Sequence, residues 1–150
     1  MTPIDPDHAR RCRDSFARQP AMGTLGIALT EVAPGRAVLR MRVRPDLTQQ
    51  HGFLHAGIIS TGLDTACGYA AFSLMPAEAG VLTIEFKVNL LAPARGPELV
   101  FEGEVTKAGR TISVADARAF ESGDGKSERK LVATMTATIM TVLGRADVRH

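Results

Sequence analysis

The chain has few of the residues that mark disulfide-rich or membrane-spanning proteins. Its 150 residues include two cysteines, one tyrosine and no tryptophan, and aromatic residues make up only 5%. Cys12 and Cys67 are too few for a disulfide framework, and their spacing matches no zinc motif. The most apolar stretch, about residues 53–75, is interrupted by His55, Asp64 and three glycines, which argues against a membrane span.

Charge is balanced rather than one-sided. The chain carries 18 Lys and Arg against 16 Asp and Glu, a formal net charge of +2, which is too small to direct binding to nucleic acid by itself. The opening residues, MTPIDPDHARRC, contain no apolar segment typical of a signal peptide. A chain of this length with 45% hydrophobic residues can bury one core. We therefore expect a single soluble, cytoplasmic domain over residues 1–150 with neither a nucleic acid nor a membrane as partner.

The first third of the sequence predicts one short helix followed by strands. Asp5-Pro6 is typical of a helix start, and apolar residues follow at helical spacing until about Pro20. From Leu25 onwards the spacing changes to the alternation of a half-buried strand, with a hairpin turn expected at Glu31–Gly35 and a second strand after it.

A single helix is expected between two groups of strands. Residues 56–74 carry an apolar stripe at helical spacing, and their three glycines suggest close packing against the helix backbone. Four alternating runs joined by short turns follow, which predicts an α+β fold in which one antiparallel sheet covers one helix. The stripe is Ile59, Leu63, Ala66, Cys67 and Ala70; the glycines are Gly57, Gly62 and Gly68; the runs are about 82–90, 99–105, 111–120 and 131–139, and residues 121–126 form a linker-like turn.

The chemistry is expected where this helix begins. A helix N-terminus offers unpaired backbone N–H groups and the positive end of the helix dipole, which suit a developing oxyanion, and the small residues Ala56 and Gly57 would let a carbonyl approach. Asp64 lies seven residues beyond Gly57 and four beyond Ser60, so it shares their helix face. A carboxylate in an apolar helix is either a paired structural acid or a group poised to act as base or nucleophile.

Other chemistries fit the same segment less well. His51 and His55 are four residues apart, but Gly52 opposes helical geometry between them and no third ligand is near, so no metal site is expected. Ser60 does not lie in the G-x-S-x-G motif of serine hydrolases, and Cys67 is more typical of a small core residue than of a nucleophile.

Four short motifs together resemble those of the hotdog-fold acyl-CoA thioesterases, and within these the phenylacetate-pathway (PaaI-like) type. The resemblance extends from about Met22 to Leu143. It implies one hotdog thioesterase domain with a core of about residues 22–143, and a homodimer or homotetramer whose active sites lie between two subunits. The motifs are His55-Ala56-Gly57, Asp64-Thr65-Ala66, Leu90-Leu91-Ala92-Pro93-Ala94 and Gly109-Arg110-Thr111.

The resemblance also implies a role for individual residues in the hydrolysis of an acyl-CoA thioester. The family's base or nucleophile corresponds to Asp64, and its oxyanion donor to the N–H of Ala56, with that of Gly57 as a second candidate. Thr83 corresponds to a hydroxyl that positions water, and His55 is expected to shape the loop. Gln49 stands where the family usually has asparagine, and Ala56 replaces the first glycine of a typical His-Gly-Gly.

Binding of the CoA moiety requires basic groups for its phosphates. The first candidate is Arg110 in the 109–111 turn, and the second is Arg95; either could instead be a solvated turn residue. No cofactor is expected, because CoA is part of the substrate. The full set expected to contact the substrate is Leu90, Arg95, Gly109, Arg110, Thr111, Ile112 and Ser113.

Two alternatives differ in class. Enoyl-CoA hydratases of the same fold use an Asp-x-Asn-Pro-x-His pattern, but the one asparagine of this chain, Asn89, is not followed by proline. A non-catalytic acyl-CoA-binding protein on the same scaffold would be expected to lack the catalytic acid, whereas Asp64 is present; a weakly active acyl-CoA-binding protein stays open as an alternative.

Overall fold

The computed structural model describes residues 1–123 and 128–148. Two short helices open the chain, a long helix lies between the second and third strands, and four strands complete it. This is the expected order of two strands, one long helix and four strands. The helices are α1 (His8–Ala17), α2 (Pro20–Leu25) and α3 (Ala56–Phe72); the strands are β1 (Ile27–Ala33), β2 (Arg36–Arg42), β3 (Gly80–Leu90), β4 (Glu98–Lys107), β5 (Ile112–Ser122) and β6 (Lys130–Val142).

The strands form one antiparallel sheet that wraps around α3, as in the hotdog fold. Their order across the sheet is β1-β2-β4-β5-β6-β3, so β3 crosses from the middle of the sequence to one edge of the sheet. One face of α3 is fully buried against the sheet, and the predicted apolar stripe supplies much of that face. The prediction of an α+β fold with a central helix is therefore confirmed.

The N-terminal region differs from the prediction in three places. The first helix begins at His8, because residues 5–7 form a turn in which the Asp5 carboxylate accepts a hydrogen bond from the Asp7 N–H. The same carboxylate accepts a second hydrogen bond from the Arg11 guanidinium of the helix. A second helix, α2, begins at Pro20, whose fixed φ suits the first helical position. The hairpin turn is also shorter than expected, since residues 31–33 belong to β1.

Close packing explains one of the three helix glycines. A Cβ at Gly62 would lie 2.4 Å from the Phe101 ring, so only glycine lets β4 approach α3 there. At Gly68 no heavy atom of the described residues lies within 4 Å of where a Cβ would be. The expectation of close packing is confirmed at Gly62 and is wrong, within one subunit, at Gly68.

Strand β3 is exposed in a way that its alternating pattern did not predict. In the described chain it pairs on one side only, with β6. Its apolar side chains include Ile84, Phe86 and Leu90, which are 54%, 45% and 51% exposed. An edge with both free backbone groups and exposed apolar side chains favours pairing with another strand.

Two further expectations concern membrane spans and the turn at 121–126. No helix among those described is long and apolar enough to cross a membrane. Within the expected linker-like turn at 121–126, residues 124–126 lie outside the described residues.

Candidate active site at the start of the central helix

The loop before α3 is held in place by backbone hydrogen bonds. The Gln49 N–H donates to the Phe53 carbonyl (2.8 Å), and Gly52 at φ +79° makes the reversal that a residue with a side chain rarely adopts. The N–H of Leu54 donates to the Ala94 carbonyl, which ties the loop to the segment after β3. The Gln49 side-chain carbonyl accepts from the His51 N–H, so this side chain organises the loop from within.

His55 is the N-cap of α3, and its side chain decides which N–H remains free. Its Nδ1 accepts a hydrogen bond from the Gly57 N–H at 2.9 Å. The N–H of Ala56, at the first helical position, has no acceptor among the described residues. Of the two oxyanion donors suggested by the sequence, Ala56 is therefore the available one, and His55 shapes the helix start as expected.

Asp64 lies two turns further along α3, beside β3. Its Oδ1 accepts a hydrogen bond of 2.8 Å from the Thr83 hydroxyl, so these two candidate residues are in direct contact. Burial raises the pKa of the Asp64 carboxyl, and the hydrogen bond from Thr83 opposes that rise only in part. Asp64 has no ion-pair partner among the described residues, which distinguishes it from a paired structural acid.

Ala56 and Asp64 open into two different cavities of one subunit. Eight residues of helix separate them, which is about 12 Å along the helix axis. The cavity beside Ala56 has a volume of about 350 Å³ and is lined by Gln49, Phe53, Leu54, Ala56, Ile59 and residues 90–94. The cavity beside Asp64, called the Asp64 cleft below, has a volume of about 300 Å³ and is lined by Gln19, Asp64, Thr65, Gly68, Tyr69, Val81, Leu82 and Thr83.

The two candidate arginines lie at opposite ends of the sheet. Arg110 is exposed in the β4–β5 turn, where the Thr111 carbonyl accepts a hydrogen bond from the Thr141 N–H. Thr141 pairs with Val81, so this turn lies at the end of β3 that also carries Thr83. Arg95 lies beyond the other end of β3, where its guanidinium stacks over the Phe53 ring at 4.1 Å.

The other residues expected to contact the substrate lie at the same two ends of the sheet. Gly109 donates its N–H to the Ser113 hydroxyl (3.3 Å), which closes the turn that carries Arg110. Ile112 is exposed at the start of β5 beside the same turn, whereas Leu90 lines the cavity beside Ala56.

Residues that were considered for other chemistry have structural partners. The Ser60 hydroxyl donates to the Ala56 carbonyl, and Cys67 is fully buried with its pKa raised to about 12 by desolvation. Across residues 1–123 and 128–148 no cluster of three or more His, Cys, Asp or Glu side chains could hold a metal ion.

Sequence reasoning did not assign Gln19 or Phe53 to the site. Gln19 precedes α2 and reaches the Asp64 cleft, where its side-chain N–H donates to the Tyr69 hydroxyl at 3.0 Å. Because α2 itself was not predicted, nothing in the local pattern could place this side chain near Asp64. Phe53 follows Gly52 in the loop before α3, and an aromatic side chain at this position is a sequence signal for a wall of the neighbouring cavity.

We expect Asp64→Asn to raise the thermal stability at neutral pH. The pKa of Asp64 in the native state lies above its usual value of 3.8, so the native state binds more protons than the unfolded state between these two pKa values. The free energy of unfolding therefore falls as the pH rises from the unfolded-state pKa through the native one. Asparagine keeps the hydrogen bond from Thr83 without this cost. The Tm difference should be largest near pH 7 and vanish below the unfolded-state pKa.

Asp46→Asn is the matched control, because the ion pair with Arg44 lowers the pKa of Asp46 and the substitution should give no rise in Tm. A lower Tm for Asp64→Asn at pH 7, at equal protein concentration, would identify Asp64 as a structural acid.

Comparison with known proteins identifies the family of this chain. Residues 51–128 match the family model described as Thioesterase superfamily. A Halobacterium salinarum protein named "Putative esterase" is 34% identical over 122 residues, covering 77% of this chain and 80% of that protein. A thioesterase family protein from Silicibacter pomeroyi is 58% identical, with a TM-score of 0.88 over 91% of this chain and 99% of its own.

One further solved structure is similar in fold alone. The E. coli PaaI protein from the phenylacetic acid degradation operon has a TM-score of 0.80 at 20% identity, covering 90% of this chain and 93% of its own. The match to the family model spans more than half of the sequence and includes the loop, α3 and Asp64. This chain belongs to the thioesterase superfamily.

Proposed function

We propose that this protein hydrolyses acyl-CoA thioesters to a carboxylic acid and CoA. The observation that carries the proposal is the half-buried carboxylate of Asp64, which is hydrogen-bonded to Thr83 in an open cleft and has no ion-pair partner among the described residues. Human acyl-coenzyme A thioesterase 13, 27% identical over 101 residues, covering 67% of this chain and 71% of that protein, supports acyl-CoA as the substrate class.

The thioester carbonyl is polarised by the N–H of Ala56. This N–H has no acceptor among the described residues and lies at the positive end of α3, and the hydrogen bond between His55 and the Gly57 N–H fixes the helix start around it. One such donor, aimed at the oxygen that becomes negative in the tetrahedral intermediate, is worth about 3 kcal/mol of transition-state stabilisation.

Asp64 supplies the nucleophilic step, as the base that deprotonates a water or as the nucleophile itself. In the first route the water oxygen bonds to the carbonyl carbon while Asp64 takes its proton. The C–S bond then breaks, and the leaving CoA thiolate takes up the proton held by Asp64, which restores the carboxylate. Desolvation raises the pKa of Asp64, which brings its basicity closer to that required near neutral pH.

Two subunits are needed to bring these groups to one carbonyl, because they are about 12 Å apart along one helix. The free edge of β3 provides the contact. Antiparallel pairing of two β3 strands about their middle places Gly80–Thr83 of one beside Lys87–Leu90 of the other. The Asp64 cleft of one subunit then faces the cavity beside Ala56 of the partner subunit.

The phosphates of CoA are bound by Arg110. Its turn lies at the Thr83 end of β3, its guanidinium is exposed, and no ion-pair partner within the described residues occupies it. In this arrangement Arg95 of the partner subunit lies near the same entrance to the site as Arg110. Its stacking on Phe53 also stabilises the loop before α3.

We expect Asp64→Asn to lower kcat by at least about 100-fold, because general base catalysis contributes roughly 10²–10⁴-fold. KM should change far less, since CoA is bound elsewhere. Steady-state release of free thiol from an acyl-CoA measures both, with Asp46→Asn as the control. A folded Asp64→Asn protein with near-normal turnover would contradict the proposed mechanism.

Mixing two inactive variants tests the composite site. Ala56→Pro removes only one N–H at a position where proline is well tolerated, and His55 has the extended backbone that precedes proline. Its kcat should fall roughly 10²–10³-fold. Refolding it together with Asp64→Asn should restore about a quarter of the sites, because half of the dimers are mixed and each holds one intact site.

Each variant refolded alone is the control, and light scattering should give a dimer or tetramer. If the mixture stays inactive, or if an active monomer is stable, the two groups do not act across an interface.

Arg110→Ala is expected to raise KM for acyl-CoA by roughly 10-fold with a smaller change in kcat, because it removes a charge-assisted contact remote from the reacting carbonyl. Arg10→Ala is the control, since Arg10 is an exposed residue of α1 that pairs with Asp7. An unchanged KM for Arg110→Ala would place the phosphate contact elsewhere.

A further inference from the structure

Gly68 is a helix-interior glycine that packing within the subunit does not require. Glycine is less favourable than alanine in the middle of a helix, so its presence normally reflects a close neighbour. Gly62 has such a neighbour in Phe101, whereas a Cβ at Gly68 would meet nothing within 4 Å among the described residues. The space beside Gly68 is therefore empty in the isolated chain.

This empty space is part of the Asp64 cleft. Gly68 lies one helical turn beyond Asp64 on the same face of α3, and both line the same cavity of about 300 Å³. That volume is at the lower end of small-molecule pockets, which range over roughly 300–1,000 Å³. A group attached to a carbonyl carbon at Asp64 would extend along α3 past Gly68.

Gln19, in the link between α1 and α2, forms part of the wall of the cleft. Gln19 donates a hydrogen bond to the Tyr69 hydroxyl, and the Ser15 hydroxyl lies 3.0 Å from the same oxygen. The Phe16 ring packs edge-on against Tyr69 with centroids 5.4 Å apart. These contacts fix Gln19 and Tyr69, so this wall is rigid.

We infer that Gly68 and Gln19 determine which acyl groups the enzyme accepts, with Gly68 giving the cleft its width and Gln19 closing its far end. This inference rests on the proposed acyl-CoA hydrolysis and assigns the Asp64 cleft to the acyl group. The cleft then favours a compact acyl group over a long chain. Both residues act on specificity and neither takes part in bond making or breaking.

The test measures kcat/KM of the wild type and of Gly68→Ala for acetyl-, butanoyl-, hexanoyl- and phenylacetyl-CoA. The added methyl group should leave acetyl-CoA close to the wild-type value and lower the ratio of hexanoyl to acetyl by roughly 10-fold or more. Gln19→Ala opens the far end and should shift the same ratio in the opposite direction.

Stability gives a second readout on the same variant. Gly68→Ala improves helix propensity where nothing within the subunit clashes, so Tm should rise by roughly 2–4 °C. Gly23→Ala is the matched control: Gly23 lies in α2, also has no heavy atom within 4 Å of a Cβ, and does not line the cleft. It should leave the substrate ratio unchanged.

The outcomes separate this inference from the proposed function. A wild type that hydrolyses none of these four esters and no long-chain acyl-CoA overturns the proposed function and the inference with it, whereas one active only on long-chain acyl-CoA overturns the inference alone. An active wild type whose Gly68→Ala variant loses all four substrates equally, with a lower Tm or a smaller oligomer, places a partner helix against Gly68 instead. Equal activity of Gly68→Ala and the wild type on all four substrates overturns the inference alone.

Discussion

The rigidity of α3 is the constraint on which the rest of the arrangement depends. One helix carries at its first residue, Ala56, an N–H with no acceptor among the described residues, and two turns later the partly desolvated carboxylate of Asp64. A straight helix holds these groups about 12 Å apart, and no loop movement can bring them to the same atom. In the proposed mechanism a second subunit completes the pair, and the apolar edge of β3, which pairs with no strand on its outer side within the described chain, provides a surface for it. Under that proposal, catalysis and assembly are two consequences of one geometric limit.

Much of the fold could be predicted because the buried face of each element has a regular period. The stripe around Leu63 and the alternation from Leu131 to Ile139 place the helix and the last strand within a few residues of their observed bounds. The partnership of Asp64 and Thr83 followed from the family resemblance and not from any local pattern, since 19 residues separate them. The family resemblance therefore predicted more of the candidate site than the periodicity of the sequence did.

The contacts that the sequence could not predict are those between distant segments. Arg11 pairs with Asp5 and donates to the carbonyls of Phe72 and Met75, so α1 is attached to the end of α3 across more than 60 residues. Neither partner carries a sequence signal for the other. The same limit applies to Gln19, whose place in the cleft depends on α2, a six-residue helix too short to show a period. The exposure of β3 could not be predicted, because alternating apolar residues identify one face of a strand but do not show whether the same chain buries that face.

The glycines of α3 connect stability with function in this fold. Gly62 is required because the ring of Phe101 occupies the space of a side chain, so that glycine lets the sheet wrap closely around the helix. A Cβ at Gly57 would lie 3.1 Å from Nδ1 of His55, so glycine lets this ring approach and accept the Gly57 N–H, which leaves the Ala56 N–H without an acceptor among the described residues. Each of these positions lowers the intrinsic stability of the helix relative to alanine. The buried contacts of the opposite face, from Ile59 to Ala70, compensate for that loss, so the helix can keep an open, polar face beside a closely packed one.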